Sequence, residues 1–158
     1  MEVYEKREKG FTLIELLVVV AIIGALAAVG VVAYNGYTAA AKKNSSKSIH
    51  ANIVKYTAAE IAKCNLDPAS TIFGGAASCG DDANTIATAL TGGSSPLQDK
   101  DPYDGGAAAV SAAPAEPEGN TVITGTAATE ADPETVITFV TQFSKTATDT
   151  LTNTIDVE

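Results

Sequence analysis

The stretch KGFTLIELLVVVAIIG, residues 9–24, decides the fold of the N-terminal part of this 158-residue chain. It places one carboxylate, Glu15, a single helical turn inside an apparent membrane span, and the residues after it carry no charge from Leu16 to Ala41. Those 26 residues would form about 39 Å of helix at about 1.5 Å per residue. Uncharged segments of about 18 residues or more are candidates for membrane-spanning helices. We therefore predict a long N-terminal helix with a membrane-spanning first half, and we expect Glu15 to have a partner or a function there.

Residues 10–24, GFTLIELLVVVAIIG, resemble the processing site and N-terminal helix of type IV pilins, and the resemblance extends over roughly residues 6–37. It implies that a prepilin peptidase cuts between Gly10 and Phe11, and that Phe11 becomes an N-methylated N-terminus. It also implies that Glu15 pairs with the Phe11 ammonium of a neighbouring subunit, because a buried carboxylate is tolerated opposite a fixed positive charge. The short leader and Phe11 are similar to the type IVa branch of the family.

The resemblance to pilins also implies a function and a location. The chain would be the structural subunit of a type IV pilus, serving adhesion, motility or surface contact. Its precursor would lie in the bacterial inner membrane, and the mature chain would be part of an extracellular filament. The implied partners are other copies of the chain, minor pilins, the prepilin peptidase and the assembly platform of the inner membrane. Small residues such as Gly24 would let apolar helices approach closely, whereas Val32 stands where many pilins carry a helix-kinking proline.

Two other functional classes stay open at the level of sequence. A pseudopilin of a type II secretion system would be favoured by calcium binding near Asp99 to Asp104. A membrane-anchored binding protein that never polymerises would be favoured by an uncut Gly10–Phe11 bond. An ordinary signal peptide fits less well, because its apolar core is shorter and its cleavage site lies on the far side. An enzyme is not expected, because a single histidine without a nearby nucleophile–base pair is poor material for hydrolysis.

The acidic composition makes nucleic acid an unexpected partner. The formal net charge is −9, and a surface of that sign repels phosphate at low salt. Residues 42–63 carry five lysines and one glutamate, whereas residues 64–158 carry two lysines and fourteen acids. We hypothesise that the basic stretch of one copy faces the acidic domain of the next copy in a filament.

The two cysteines, Cys64 and Cys79, enclose 14 residues rich in small side chains. We predict a disulfide between them, which would stabilise that loop by roughly 3 kcal/mol. A metal site needs more ligands than these two cysteines and the distant His50 provide.

No cofactor is expected apart from a weak calcium candidate. Asp99, Asp101 and Asp104 place three acids within six residues, and oxygen ligands suit Ca²⁺. This segment is similar to the Asp-Pro-aromatic turn of the pseudopilins of type II secretion, but it lacks their tryptophans. An ordinary Asp-Pro turn is the competing explanation for the same residues.

The predicted fold class is α+β, with a long N-terminal helix whose second half packs on a small antiparallel sheet. The segments are a leader at 1–10, an apolar transmembrane and filament-core helix at 11–41, and an exposed globular domain at 42–158. Within that domain we expect the second half of the helix at 42–64, a loop region at 65–120 and the sheet at 121–158. The loop region would include a short helix over residues 81–90 and an exposed stretch at 105–119.

Periodicity supports this arrangement. Residues 39–63 contain neither proline nor glycine, and Ile53, Tyr56 and Ile61 fall on one arc that His50 and Glu60 interrupt. Strands are predicted at residues 121–124, 135–143 and 150–157, with a hairpin connection at 144–149. A small sheet needs another element to cover one face, and the amphipathic half of the helix is the expected cover.

Overall fold

The computed structural model describes residues 10–112, 118–127, 135–143 and 149–157. Residues 1–9 of the predicted leader and residues 144–148 of the predicted hairpin connection lie outside this described part. The chain divides after Ala39 into two compact units, an N-terminal unit and a C-terminal unit that begins at Ala40.

One helix, α1, runs from Leu13 to Cys64 over 52 residues. It is continuous through Gly24 and through Val32, where no proline is present to remove a backbone N–H and force a kink. The part of α1 in the N-terminal unit buries no side chain within the structure, because the buried residues of the helix begin at Ser46. The predicted long helix with an apolar first half is confirmed.

In its described residues, the C-terminal unit contains α1 residues 40–64, a second helix and six strands. The second helix is α2, Ala83–Thr91. The strands are β1 Thr71–Ile72, β2 Ala77–Ser78, β3 Val110–Ser111, β4 Thr121–Thr126, β5 Val136–Gln142 and β6 Thr150–Asp156. β1 and β2 form a separate antiparallel pair, and the main sheet has the order β3-β4-β5-β6. The predicted α+β class is therefore confirmed.

The main sheet contains one strand that the sequence did not predict. β4, β5 and β6 pair antiparallel over the residues expected to be strands. β3 pairs parallel to β4, with Val110 opposite Thr121. This corrects the expectation that residues 105–119 are exposed, because Ala109, Val110 and Gly119 are buried. Residues 113–117 of that stretch lie outside the described part.

The region at 65–120 is more structured than the predicted loop with one short helix. The helix is present, and the Asp82 side chain caps it by accepting a hydrogen bond from the Thr85 backbone N–H at 2.8 Å. In addition, β1 and β2 enclose a 3₁₀ turn at Phe73–Gly75. Runs of two residues carry too little periodicity to be recognised from sequence.

The core of the C-terminal unit lies on one face of the main sheet. Alternate residues of β5 are buried, among them Ile137 and Phe139. α2 packs over β4 and buries Ile86 and Leu90 in the same cluster. This approach is close at Gly125, where a Cβ atom would lie 2.0 Å from the Ala83 carbonyl oxygen.

The second half of α1 also contributes to this core, but through an unexpected set of side chains. Its buried residues recur every three or four positions on one face, and they are Ser46, His50, Ile53, Thr57 and Glu60. His50 and Glu60, which were expected to interrupt the packing face, are thus part of it. That expectation was wrong because both side chains have hydrogen-bond partners in the domain.

Candidate functional site

The predicted processing site lies just outside the first helix. Gly10, Phe11 and Thr12 are not helical, and α1 begins at Leu13. The Phe11 side chain is 87% exposed. The Gly10–Phe11 peptide bond is therefore presented in non-helical, accessible chain, as a peptidase substrate requires.

Thr12 and Glu15 form a reciprocal cap at the start of α1. The Thr12 backbone N–H donates to Glu15 Oε2 at 2.9 Å, and the Thr12 hydroxyl donates to the same oxygen at 2.7 Å. In return, the Glu15 backbone N–H donates to Thr12 Oγ1 at 3.3 Å. This arrangement is a capping box, which satisfies backbone donors that the first turn of a helix otherwise leaves free.

Sequence reasoning gave Glu15 a partner on another subunit and missed the partner in its own chain. The signal was present, because Thr-x-x-Glu ahead of an apolar run is the sequence form of a capping box. The pairing of Glu15 with a neighbouring Phe11 ammonium stays a prediction, as do cleavage at Gly10 and methylation of Phe11.

The N-terminal unit exposes an apolar surface along α1 from Leu13 to Val32. The large apolar side chains from Leu13 to Val32 are between 47% and 80% exposed. Within the described residues, α1 is long and apolar enough to cross a membrane. A methyl group at Gly24 would meet no atom within 4 Å, so no contact in the described part of the chain requires glycine there. A requirement for a small residue at Gly24 would have to come from another molecule.

His50 connects the second half of α1 to two strands of the main sheet. Its ring is 1% exposed, with Nδ1 at 2.7 Å from Thr141 Oγ1 on β5 and Nε2 at 2.9 Å from Asn153 Oδ1 on β6. Thr141 Oγ1 lies in turn 2.6 Å from Thr121 Oγ1 on β4. The imidazole thus joins α1 directly to β5 and β6, and Thr141 extends the network to β4, so both ring nitrogens serve a structural role.

Glu60 fixes the segment that follows α1. Its Oε2 accepts a hydrogen bond from the Phe73 backbone N–H at 2.8 Å, and its Oε1 accepts one from Lys63 Nζ. Burial raises the pKa of Glu60, but the Lys63 and Phe73 hydrogen bonds and the Lys63 charge together outweigh it and lower the pKa. Phe73 has a positive φ of 55°, and its ring is buried 5.9 Å from that of Tyr56. The carboxylate therefore stabilises a backbone conformation that a bulky residue rarely adopts.

The predicted disulfide between Cys64 and Cys79 is present. It joins the last residue of α1 to the residue after β2, with the Cα atoms 5.3 Å apart. No free cysteine occurs in the described part of the chain.

The calcium candidate does not form a cluster of ligands. Asp101 is 1% exposed, and its Oδ1 accepts hydrogen bonds from the backbone N–H groups of Tyr103 at 2.7 Å and Asp104 at 3.4 Å. Asp104 accepts from the Gly106 N–H, so both carboxylates stabilise turns of their own segment. In the described ranges, no three His, Cys, Asp or Glu side chains are placed to hold a metal ion. The buried Asp101 Oδ2 has no hydrogen-bond partner in the described part of the chain, and calcium binding at Asp99, Asp101 and Asp104 stays a prediction.

The lysines of the second half of α1 have partners in their own chain. Lys43 forms an ion pair with Asp149, and Lys63 forms one with Glu60. Lys43 and Lys47 also lie 5.9 and 5.6 Å from the centre of the Phe143 ring. Part of the basic stretch that was expected to face another copy is therefore engaged within the chain.

Within the described residues, an exposed apolar helix that begins with a capping box and leads into a disulfide-bonded α+β unit fits the class of membrane-anchored proteins. Comparison with known proteins narrows this class. The family model for the prokaryotic N-terminal methylation motif matches residues 6–31. No solved structure matches the chain.

Several curated relatives match the same end of the chain. A fimbrial protein of Pseudomonas aeruginosa is 65% identical over 34 residues, which are 22% of each chain. A fimbrial protein of Dichelobacter nodosus is 45% identical over 73 residues, which are 42% of this chain and 45% of that protein. The type IV major pilin protein PilE1 of Neisseria gonorrhoeae is 63% identical over 35 residues, which are 22% of this chain and 21% of that protein.

The chain thus spans less than half the length of the curated relatives that it matches. The predicted resemblance to type IV pilins is nonetheless confirmed, because the methylation motif and the names of the relatives both support it. These relatives are named as fimbrial proteins and pilins, which are structural subunits rather than enzymes.

Proposed function

We propose that this chain is the structural subunit of a type IV pilus. A prepilin peptidase cuts the Gly10–Phe11 bond, the first half of α1 holds the chain in the inner membrane, and the assembly platform moves that helix into a filament of like copies and minor pilins. One observation carries this proposal. The exposed apolar surface of residues 13–39 contains a single charged side chain, Glu15, four residues after the accessible Phe11.

Such a surface has two stable environments, a lipid bilayer and a bundle of similar helices. Lipid tails are as apolar as leucine, so transfer between the two environments changes little in hydrophobic burial, and close packing decides the outcome. Glycine and alanine at residues 24, 25, 27 and 28 favour that packing. Glu15 adds specificity, because only a neighbour that brings a positive group to its level compensates the charge. The Phe11 ammonium of an adjacent subunit is such a group.

The C-terminal unit supports the external location of the mature domain. A disulfide at the end of α1 is typical of oxidising compartments outside the cytoplasm. In the filament, this unit would form the outer surface that meets the environment.

The test is intact-mass and N-terminal analysis of filaments sheared from native cells, together with Glu15→Gln and the matched variant Ile14→Leu. We expect a dominant filament protein that starts at N-methylated Phe11, loss of filaments with Glu15→Gln, and normal filaments with Ile14→Leu. An uncut chain in cells with an active peptidase would overturn the proposal. So would a correctly cut chain that stays in the membrane fraction, which is the behaviour of a pseudopilin.

A further inference from the structure

Strand β6 forms one edge of the main sheet. In the described part of the chain it pairs with β5 on one side, and the sheet order places no strand on its other side. All of its residues except Ile155 are exposed. Edge strands can pair with another chain, and natural edges often carry lysine, proline or a bulge that prevents this. β6 contains neither lysine nor proline, and it pairs with β5 in unbroken register.

Two backbone hydrogen bonds show which groups of β6 are unpaired. The Phe143 N–H donates to the Asp149 carbonyl oxygen at 2.9 Å. The Val157 N–H donates to the Thr135 carbonyl oxygen at 2.7 Å, in the register of the seven strand pairs between them. Antiparallel strands exchange hydrogen bonds at every second pair, so the odd-numbered residues of β6 bond to β5. The N–H and C=O groups of the even-numbered residues therefore point away from the sheet.

The side chains of β6 differ between its two faces, because successive residues of a strand alternate. Asn153 contacts His50, so the odd-numbered side chains lie on the face that α1 covers. That face of β6 presents two apolar side chains around one amide, which are Leu151, Asn153 and Ile155. The opposite face presents three hydroxyl groups and one carboxylate, which are Thr150, Thr152, Thr154 and Asp156.

On this opposite face, β6 is complementary to a second β6 that lies antiparallel to it. In the register that pairs all the residues of both strands, Thr152 lies opposite Thr154 of the second copy. Thr150 lies opposite Asp156, so a hydroxyl group faces each carboxylate and the two carboxylates are at opposite ends of the pair. Thr–Thr pairs stabilise neighbouring strands, whereas like charges directly opposite each other destabilise them.

The face toward α1 matches in the same register. Leu151, which is 36% exposed, lies opposite Ile155 of the second copy, and Asn153 lies opposite its own counterpart. Even-numbered residues are opposite even-numbered residues throughout. The backbone groups that β5 leaves free are therefore used, in about eight hydrogen bonds between the two strands.

We propose that the free edge of β6 is a self-association surface, on which a second copy of this chain adds its own β6 antiparallel. The pair joins two four-stranded sheets into one. The occupant is a second copy because one register matches side chains on both faces and the backbone groups of the edge. The contact has two-fold symmetry, in which both copies use the same surface.

This symmetry separates the contact from those that build a filament. Copies in a helical filament use two different surfaces and repeat in one direction, so a two-fold contact closes after two copies. In a filament of the proposed kind, β6 would therefore join one filament to another. The pairing itself goes beyond the proposed function and does not require a filament.

Cysteine trapping tests the contact and its register together. The full chain is purified in detergent as two single variants, Thr152→Cys and Thr154→Cys. The two positions face each other in a hydrogen-bonded pair with Cα atoms about 5.5 Å apart, which a disulfide spans. Identical positions are displaced along the strands and lie about 8 Å apart, beyond disulfide reach.

The conditions and the control exclude two other causes of the result. Residues 64–158 carry fourteen acids and two lysines, so oxidation is done at about 0.5 M NaCl to screen repulsion between copies. The matched control is a mixture of Thr124→Cys and Thr152→Cys. Thr124 is an exposed threonine in the same cross-strand row as Thr154, two strands from the edge.

We expect an equal mixture of Thr152→Cys and Thr154→Cys to give about fivefold more disulfide-linked dimer than either variant alone. The control mixture should give no more dimer than the single variants. The measurement is the dimer fraction by intact mass without reductant. Equal yields from the mixture and the single variants would overturn the proposal, as would a mixture that does not exceed the Thr124→Cys control.

Failure of this proposal and failure of the proposed function are distinguishable. The expected trapping pattern in a chain that never forms filaments would retain the β6 contact and overturn the filament role. Filaments in cells, combined with no register-specific trapping in detergent, would do the reverse.

Discussion

The two halves of α1 invert the usual relation between apolarity and burial. In residues 13–39 the large apolar side chains are exposed, whereas in residues 40–64 four of the five buried side chains are polar. The apolar half is therefore built for contact with another molecule, lipid or a neighbouring helix. The polar half is fixed to its own domain because its buried groups find specific partners, as His50 does at Thr141. In α1, the apolar side chains of the first half are available to other molecules, whereas the hydrogen-bonding side chains of the second half contact the chain's own domain.

Loss of the charge in the apolar half should have the largest effect, and it should leave the domain intact. We expect Glu15→Leu to abolish filament formation, because no group then selects the Phe11 ammonium of a neighbour. The measurement is the amount of sheared filament per cell, together with thermal unfolding of the C-terminal unit in detergent. Ile14→Leu is the control. A lower unfolding temperature of the C-terminal unit in Glu15→Leu would show that the two halves of α1 do not act independently.

Removal of the disulfide should destabilise the C-terminal unit and leave the N-terminal half of α1 unaffected. We expect the double substitution Cys64→Ser, Cys79→Ser to lower the free energy of unfolding by about 3 kcal/mol, since the unfolded chain loses a closed loop. The measurement is denaturant unfolding of the full chain in detergent, with Ser70→Ala as the control. The membrane association of the N-terminal half should not change. A variant as stable as the parent would contradict this expectation.

Buried polar groups with and without partners should respond with opposite signs. We expect His50→Leu to lower the free energy of unfolding by about 2 kcal/mol, because Thr141 and Asn153 lose their hydrogen bonds to the imidazole. The buried Thr57 hydroxyl oxygen has no hydrogen-bond partner in the described part of the chain, so Thr57→Val should be neutral or slightly stabilising. Both variants are compared by denaturant unfolding. Equal losses of unfolding free energy in the two variants would show that packing, rather than hydrogen bonding, fixes the second half of α1.

Glu60 should give the smallest effect, and one that depends on pH. Because its folded-state pKa is lowered from the ordinary value of 4.5, its contribution is present at pH above 4.5 and is lost as the pH falls through the folded-state pKa. We expect Glu60→Gln to lower the free energy of unfolding by about 1 kcal/mol at pH 7, and the difference from the parent to vanish in acid. Denaturant unfolding at both pH values checks this. If the difference in free energy of unfolding between the parent and Glu60→Gln grew on acidification, the pKa of Glu60 would be raised in the folded state rather than lowered.

The local patterns of the chain were sufficient to predict much of this structure. The uncharged run predicted the long helix, a short helix was predicted over residues 81–90, and β-branched and aromatic residues predicted the strands β4, β5 and β6. The disulfide was predicted from the 14 residues, rich in small side chains, that Cys64 and Cys79 enclose. Each of these signals depends on residues close together in sequence.

The missing parts depend on contacts between distant residues. β3 is two residues long and exists because Val110 meets Thr121 across the sheet. His50 and Glu60 look like interruptions of an apolar arc until Asn153 and the Phe73 N–H are brought to them. Calcium binding at Asp99, Asp101 and Asp104 stays a prediction, although Oδ1 of Asp101 and Oδ1 of Asp104 each accept a hydrogen bond from a nearby backbone N–H group. The Thr12–Glu15 capping box, in contrast, has a recognisable sequence pattern and was overlooked.

The position of the disulfide has a mechanical consequence for any structure that bears tension. Cys64 is the last residue of α1, and the bond to Cys79 makes residues 65–78 a closed loop. A pulling force that unravels the domain from the end of the helix crosses from Cys64 to Cys79 through sulfur. The 14 enclosed residues, with a contour length of about 50 Å at about 3.5 Å per residue, therefore cannot be drawn out. The chain resists elongation at the point where its longest rigid element ends.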